Sequence, residues 1–400
     1  MTDTWACRSC GSPDLSVLLD LGDMPLAGGF LDDAAAAADE GWYPLVVHLC
    51  ERRCLPQIVD PVDPDVLFQD YSFSASTIPG LVRHFDGYAG WIHERFGPGL
   101  VVELGANDGV LLAPLEARGI RAVGVDISQN ITDLARDRGL TVVTGAFDTS
   151  IAQEIRDAHG PADVVTGSNV FAHNADPSVI LEAARAALVD DGVLCLEVMY
   201  ARDLADELQW DTLYHEHLTF YALGTLAPLL AKYGFTVVHA ERSPMHGGSL
   251  RVAAQLGTAR PDDSVAELTR AEHVAGLDQV ERWHEFARLS RRSIHVVQDV
   301  FDRLSASAQI WAYGAAGKAT MWVNACKMSY LGAVVDASPL RAGKLMPGTH
   351  TPIVAPEQFH AASPDFVLVT AWNYLDAIRS NEPGFEGIWA TPLPALTFHH

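Results

Sequence analysis

From about residue 80 onward, short apolar runs alternate with longer segments whose apolar positions recur every three or four residues. The first run, "GLVVELGANDG", reads as a buried strand ending in a glycine loop, and "LLAPLEARG" after it as a helix closed by Gly119. "RAVGVDIS" predicts the next strand, "ITDLARDRG" a helix and "LTVVTGAF" a third strand, while "ADVVTGSNVF" and "GVLCLEVMY" predict later strands of the same sheet. Alternation of this kind implies a parallel sheet with helices on both faces. Residues from about 262 to 305 carry apolar positions at helical spacing and predict one or two long helices. A second strand–helix unit follows in "AQIWAYGAAGKATMWVNAC", "LGAVVDASP" and "PDFVLVTAW".

The first 75 residues obey neither pattern. "ACRSCGSPDLSVLLDLGDMPLAGGFLD" is interrupted by Gly and Pro, and no apolar stripe is long enough to form a self-sufficient core. Three parts are therefore expected within an α/β fold class. Residues 1–75 form a small cysteine-rich head, 76–245 a central Rossmann-like domain and 246–400 a C-terminal Rossmann-like domain. A chain of 400 residues is long enough for each to bury its own core.

Charge narrows the partners. The formal net charge of −24 would repel a phosphate backbone, so nucleic acid is not an expected partner, although a few local cations can still bind a small anion. No window approaches 18 uninterrupted apolar residues, and "MTDTWACRSC" lacks the layout of a secretory signal, so a soluble cytoplasmic protein with no membrane partner is expected, a monomer by default.

Four of the six cysteines fall in the head: Cys7, Cys10, Cys50 and Cys54. The first two have the spacing of a knuckle that aims two thiolates at one ion, and three intervening residues in the second pair also suit a tetrahedral site. A closed structural zinc is expected there, whose binding energy is folding energy. In the central unit, Glu103, Gly105, Asn107, Asp108 and Gly109 end the first strand, where open α/β sheets bind ligands. The loop lacks the full G-x-G-x-x-G of a pyrophosphate site, which favours S-adenosylmethionine, whose cationic groups suit nearby carboxylates, over NAD. Asp126 ends the second strand, where it can accept from ribose hydroxyls. Phe147 in "GAFD" borders the adenine side, and Asn169 in "GSNVFAH" lies where the fourth strand opens towards the cofactor.

"LYHEHLTFY" places Tyr214, His215, Glu216 and His217 in a row, after the fifth strand. His215 and His217 at i, i+2 share a face only in an extended chain, and no third ligand is evident nearby, so a metal fits less well than acid–base work. His173, in "FAHNAD", can join from the other side. Towards the C-terminus, "HGGSLRV" offers backbone donors and Arg251 to an anion, and "AYGAAGKA" is a strand-to-helix loop whose Lys318 could meet a pyrophosphate.

Together, Cys-x2-Cys, "ELGANDG", "YHEHLTFY", "HGGSLRV" and "AYGAAGKA…VVDASPLRAGKLMPGTHTPI" resemble the sugar C-methyltransferases of antibiotic deoxysugar biosynthesis over essentially the whole chain. The resemblance implies methyl transfer from S-adenosylmethionine to a ring carbon of a dTDP-linked 4-keto-6-deoxy sugar. C3 is favoured, with C5 or another activated ketone as alternatives. It implies His217 as the base, Glu216 and Tyr214 as orienting or polarising partners, His173 as a second active-site histidine and Tyr71 as a residue reaching in from the head. It further implies a dTDP-sugar site at His246, Gly247, Ser249, Arg251, Tyr313 and Lys318, rimmed by Asp336, Arg341, Lys344 and His350. One departure is visible: the second cysteine pair of the family reads Cys-x2-Cys-Gly, whereas this chain has "CERRCLPQ".

Overall fold

A computed structural model describes residues 5–68 and 74–400. The head forms an antiparallel sheet of β1 (Leu15–Pro25), β2 (Trp42–Cys50) and β3 (Leu55–Ile58) in the order β1-β2-β3. These strands escape the periodicity because only one end is covered: β1 alternates irregularly between buried and exposed positions, whereas every residue of β3 is buried.

The central sheet contains β4 (Leu100–Leu104), β5 (Arg121–Asp126), β6 (Val142–Thr144), β7 (Ala162–Ser168), β8 (Leu188–Met199), β9 (Phe235–Ser243) and β10 (Ser249–Leu256), in the order β6-β5-β4-β7-β8-β10-β9. All five positions of β4 are buried, as befits a strand covered on both faces. β4 lies between β5 and β7, so the strand order reverses beside it. The crevice at the carboxyl ends of β4 and β7 is the switch point at which such sheets bind ligands.

The first five strands are parallel, as the alternation predicts, but β10 runs antiparallel between β8 and β9. This moves "SLRV" out of the unit expected to begin at 246 and into the central sheet. The physical reason is local. His246, Gly247 and Gly248 all take positive φ, which lets the chain reverse after β9 and return as a hairpin partner.

The C-terminal sheet has β11 (Ile310–Tyr313), β12 (Val334–Val335), β13 (Ile353–Val354), β14 (Phe366–Val369), β15 (Ile388–Thr391) and β16 (Thr397–His399), in the order β13-β12-β11-β14-β15-β16. It is parallel except at β16. The helical pattern after residue 262 resolves into Asp263–Val274 and Val280–Ser305. Among the described residues no helix is long and apolar enough to cross a membrane.

Separate cores were expected, and the packing differs. One apolar cluster runs from the head (Leu18, Leu45, Val47) through Trp210, Leu213 and Phe220 of the central unit to Trp283, Met321 and Trp322 beyond it. Trp210 and Trp322 meet edge-to-face with ring centroids 4.4 Å apart. The head is too small to bury its own apolar side, so it completes its core by sitting on the two larger units. Replacing Trp322 with Ala is therefore expected to cost about 3–5 kcal/mol. Urea denaturation followed by far-ultraviolet circular dichroism should show that loss as one shifted transition for the whole chain. A separate early transition with the remainder unmoved would refute the shared core.

Candidate functional site

At the switch point, Glu103 closes β4 with its carboxyl buried, and Oε2 has no hydrogen-bond partner among the described residues. Burial first, then the neighbouring Asp126 and Asp108, holds this carboxyl well above the usual range. Asp126 is tethered by the backbone N–H groups of Asn107 (2.9 Å) and Ser128 (3.0 Å). Across the crevice, Ser168 Oγ and Asn169 Oδ1 are also buried and unpartnered, and Asn169 takes a left-handed φ of 52° fixed by its N–H to the Glu197 carbonyl. Phe147 is buried at the same edge.

Orphaned oxygens beside a buried carboxyl whose pKa is raised for want of a cation match a ligand that carries positive charge and hydroxyl donors. S-adenosylmethionine fits that demand. Asn107 and Asp108 turn elsewhere. Asn107 Oδ1 accepts from Ala75 N (2.9 Å), and Asp108 accepts from Ser74 Oγ (2.5 Å) and Ser76 N (3.0 Å), so both side chains fasten the lead-in to the helix Pro79–Phe96. Gly109 is required by packing, because a Cβ there would lie 2.2 Å from Leu140 Cδ1, and at Gly105 it would meet Val170 at 2.8 Å.

The histidine cluster sits beside this crevice. After the 3-10 turn Trp210–Thr212, His217 N bonds to the Tyr214 carbonyl, and residues 214–217 form a turn that throws His215 and His217 apart. His215 points to the head, with Nε2 at 3.2 Å from the Tyr43 carbonyl. His217 points inward, with its ring centroid 4.0 Å from Tyr214 and 5.1 Å from His173. A two-histidine metal site is thereby ruled out for this pair.

His217 Nδ1 lies 2.7 Å from the Thr212 carbonyl, an acceptor only, so Nδ1 carries the proton and Nε2 is the basic nitrogen. Burial, together with His173, holds the His217 pKa well below its ordinary value, and burial alone pushes His173 down to about 4. Glu216 goes the other way. Burial raises it to about 7 against one stabilising N–H from Gly28, whose backbone passes so close that a Cβ would sit 3.2 Å from Glu216 Oε1. Tyr71 lies outside the described residues.

Two backbone clamps bring these groups together. Leu218 N and Thr219 N both donate to the Ala172 carbonyl, which fixes His173 opposite His217. On the other side, Ile58 N donates to Leu218 O, and Phe220 N donates to Pro56 O, so β3 of the head holds the same segment.

The C-terminal candidates divide. Lys318 opens the helix Gly317–Ala325 and enters the cluster: its charge lowers the pKa of both His217 and His246. His246 is pushed down to about 4, chiefly by burial. Gly247 O accepts from Gln209 Nε2 (2.6 Å), and Ser249 is buried with Oγ on the Met245 carbonyl (3.1 Å), so both brace the turn before β10.

Arg251, expected on an anion, is committed elsewhere. It donates to Glu197 (2.7 and 3.0 Å) and Glu241 (2.8 Å) and lies over the Tyr88 ring at 4.2 Å, because as part of β10 it faces the helix Pro79–Phe96. Tyr313 also points away, donating to Glu382 (2.6 Å) among Phe359 and Trp389. Asp336 and Arg341 pair with each other (3.2 Å). Lys344 pairs with Asp32 (2.6 Å) and His350 with Glu40 (2.9 Å), so these two fasten the C-terminal unit to the head.

Residues the motifs did not single out complete the site. Asp211 is fully buried and accepts from the indoles of Trp322 (3.0 Å) and Trp372 (2.9 Å), and Thr212 and Gly28 contact the cluster through backbone. An aspartate two residues ahead of the histidine run was the one available signal for Asp211. A bare carbonyl or a distant glycine offers none.

In the head, the sulfurs of Cys7, Cys10 and Cys50 all lie within 4.8 Å of one another, with Cys10 and Cys50 at 3.7 Å. That separation matches the ~3.8 Å between sulfurs on a tetrahedral zinc. Cys54 corrects the expected four-thiolate set. The extra residue in its loop and a left-handed φ of 52° turn the side chain into the apolar cluster shared with the larger units. There, burial, Asp278 and Glu281 push its thiol up to about 11.

Cys10→Ser is thus expected to lower bound zinc severalfold, and Cys54→Ala to leave it near wild type, as read by metal content after gel filtration. Equal losses would restore Cys54 as a ligand. His246 gives a pH signature. Its folded pKa of about 4 lies below the ~6.5 of an unfolded histidine, so the unfolded chain binds more protons between those values. Its contribution to stability is intact above the upper value and is lost as pH falls towards the lower. After solvent screening the loss is on the order of 2 kcal/mol. Urea midpoints of the His246→Asn variant should fall less steeply than wild type between these pH values, and parallel curves would refute it.

Three family models cover the chain in order: a zinc-binding domain at residues 7–68, a methyltransferase domain at 84–240 and a C-methyltransferase C-terminal domain at 244–394. C-methyltransferase NovU of Streptomyces niveus is 34% identical over 97% of this chain and 95% of its own. Among solved structures, a magnesium protoporphyrin IX methyltransferase from Synechocystis matches 44% of this chain and 80% of its own at 20% identity and a TM-score of 0.34. The glycopeptide N-methyltransferase MtfA matches 43% and 95% at 18% and 0.35. Both structural likenesses are too distant to inform function. The methyltransferase match removes NAD as the cofactor, and the zinc-binding match agrees with the three clustered thiolates. Full-length identity at this level, with all three parts in register, makes this chain a member of the S-adenosylmethionine-dependent C-methyltransferase family.

Proposed function

We propose that this enzyme methylates a carbon beside the ketone of a dTDP-linked 4-keto-6-deoxy sugar, at C3, with His217 as the general base. The observation that carries the reading is the locked tautomer of His217. A neutral imidazole with Nδ1–H on the Thr212 carbonyl presents Nε2 as an acceptor inside a water-poor cluster.

A C–H beside a ketone is acidic only because the resulting charge delocalises onto oxygen, so the site needs a base on carbon and donors on oxygen. His217 supplies the first. Tyr214, stacked on His217, is placed to donate its phenol to the oxygen, and His173 lines the opposite wall. Glu216, held near neutrality by burial, fixes the turn against Gly28 and can exchange a proton without a large energetic step. S-adenosylmethionine, when bound, supplies an electrophilic methyl group. Glu103, Asp126, Phe147 and Asn169 at the adjacent crevice would hold it, the unpartnered oxygens of Glu103 and Asn169 and the tethered carboxylate of Asp126 meeting its cationic and hydroxyl groups. C5 of the same sugar, also flanking the ketone, is the alternative position.

His217→Ala and His217→Asn should lower methyl transfer by about 10²–10⁴-fold. S-adenosylmethionine affinity, read by calorimetric titration, should stay within a few-fold of wild type. With S-adenosylhomocysteine in heavy water, wild-type enzyme should wash deuterium into the carbon beside the ketone of a dTDP-4-keto-6-deoxy sugar. Undiminished turnover in both variants would move the base to another group. A mixed-substrate assay in which no such sugar gains about 14 mass units, one CH2, would discard the substrate class.

A further inference from the structure

Lys318 belongs to the C-terminal unit, yet its charge is felt by His217 and His246 of the central one. Its Nζ is shielded from solvent and has no hydrogen-bond partner among the described residues. It sits over the face of Trp372, 4.6 Å from the ring centroid, and its charge is felt by Asp211. Asp211 is itself anchored, since Oδ2 accepts from both Trp322 and Trp372 indoles, while Oδ1 remains unpartnered. An aromatic face and a fixed carboxylate thus hold the cation in place without using its three N–H donors.

An occluded ammonium with idle donors is costly, so the donors are expected to meet a ligand oxygen. The preceding residue touches the reactive side chains directly: a Cβ on Gly317 would lie 3.1 Å from Tyr214 Cζ and 3.4 Å from Ala27 Cβ. Packing of Tyr214 and Ala27 against the first turn of this helix disfavours a diphosphate resting there. The charge of the cation is instead felt by two imidazoles, His217 and His246, whose pKa values are depressed chiefly by burial. Nothing in that set offsets a negative charge that develops on a substrate oxygen. Lys318 does.

We propose that Lys318 is a catalytic residue that donates a hydrogen bond to the substrate ketone oxygen and stabilises it as an oxyanion. This deepens the reading of the preceding subsection and rests on it. In the step, the C–H bond beside the carbonyl breaks and its proton goes to His217 Nε2. The C–H electron pair becomes the carbon–carbon double bond, and the carbonyl π pair moves onto oxygen, where the Lys318 ammonium remains charged and hydrogen-bonded. No redox partner is needed. The arrangement also couples the units, because the central domain supplies the base and the C-terminal domain the oxyanion donor.

The test uses full-length wild type, Lys318→Met and Lys318→Arg with dTDP-4-keto-6-deoxyglucose and S-adenosylhomocysteine in heavy water. Loss of a preorganised donor predicts that deuterium wash-in falls about 10²–10³-fold in Lys318→Met, with partial recovery in Lys318→Arg. The calorimetric affinity for dTDP alone should change less than threefold in both. Because Lys318 depresses the His217 pKa, residual exchange in Lys318→Met should also show its acid limb displaced to higher pH, which a structural role would not produce. Wild-type exchange matched by Lys318→Met would overturn the assignment. So would a dTDP affinity that drops in step with exchange, since that would make Lys318 a phosphate ligand. Absence of exchange in wild type would instead sink the proposed function itself. Equal melting temperatures exclude misfolding as the source of a loss.

Discussion

The site depends on one short backbone segment being gripped from two sides. Residues 218–220 pair with the Ala172 carbonyl on one flank and with β3 of the head on the other. The first pairing sets His173 against His217, and the second ties that pair to the metal-binding unit. Arg8 strengthens the second grip. Its guanidinium donates to the carbonyls of Ile58 (2.6 Å), Leu218 (3.1 Å) and Ala175 (2.9 Å), and it lies between two of the clustered cysteines in sequence. A structural ion at Cys7, Cys10 and Cys50 therefore does more than stabilise a small head. Arg8 and β3 connect the cysteine cluster to residues 218–220, the segment that follows His217.

The electrostatics of the cluster follow from what is missing near it. A net charge of −24 belongs to a chain in which buried histidines have depressed pKa values, one buried glutamate is raised to about 7 and one ammonium has no hydrogen-bond partner among the described residues. Carbon acids need such a setting, because a weak base in a dry site meets little competition from water and a developing oxyanion meets undiluted charge. The cofactor crevice has the opposite sign preference, with Asp126 and Asp108 close enough to raise the buried Glu103 carboxyl further. A crevice lined with carboxyl groups and a cluster of buried histidines under the influence of one lysine thus belong to the same central unit.

Legibility in the sequence tracked how local each feature is. β4, β5 and β7 could be read from apolar runs ending in glycine or polar residues, because burial on both faces leaves no other composition available. β10 could not, since "HGGSLRV" looks equally like a ligand loop until β8 and β9 are seen to flank it. Arg251 carries the same lesson: guanidinium chemistry suits an anionic ligand, but Glu197 and Glu241 arrive from neighbouring strands and claim it. Cys54 shows the limit of spacing rules, because one added residue and a left-handed turn sent its sulfur to the opposite face of the sheet.

By itself the chain's pattern determined the α/β class, the order of three parts, a cysteine ion site in the first, and a methyl-donor crevice in the second followed by a tyrosine–histidine run. All of these are written in contiguous residues, whose periodicity and local chemistry do not depend on distant partners. Tertiary structure alone decided which histidine faces inward, which three of four cysteines converge, that the head and the C-terminal unit share one apolar core, and that the charge of Lys318 is felt at His217. Those outcomes depend on the directions of side chains brought together from distant parts of the chain, and direction is a property of packing that no linear spacing encodes.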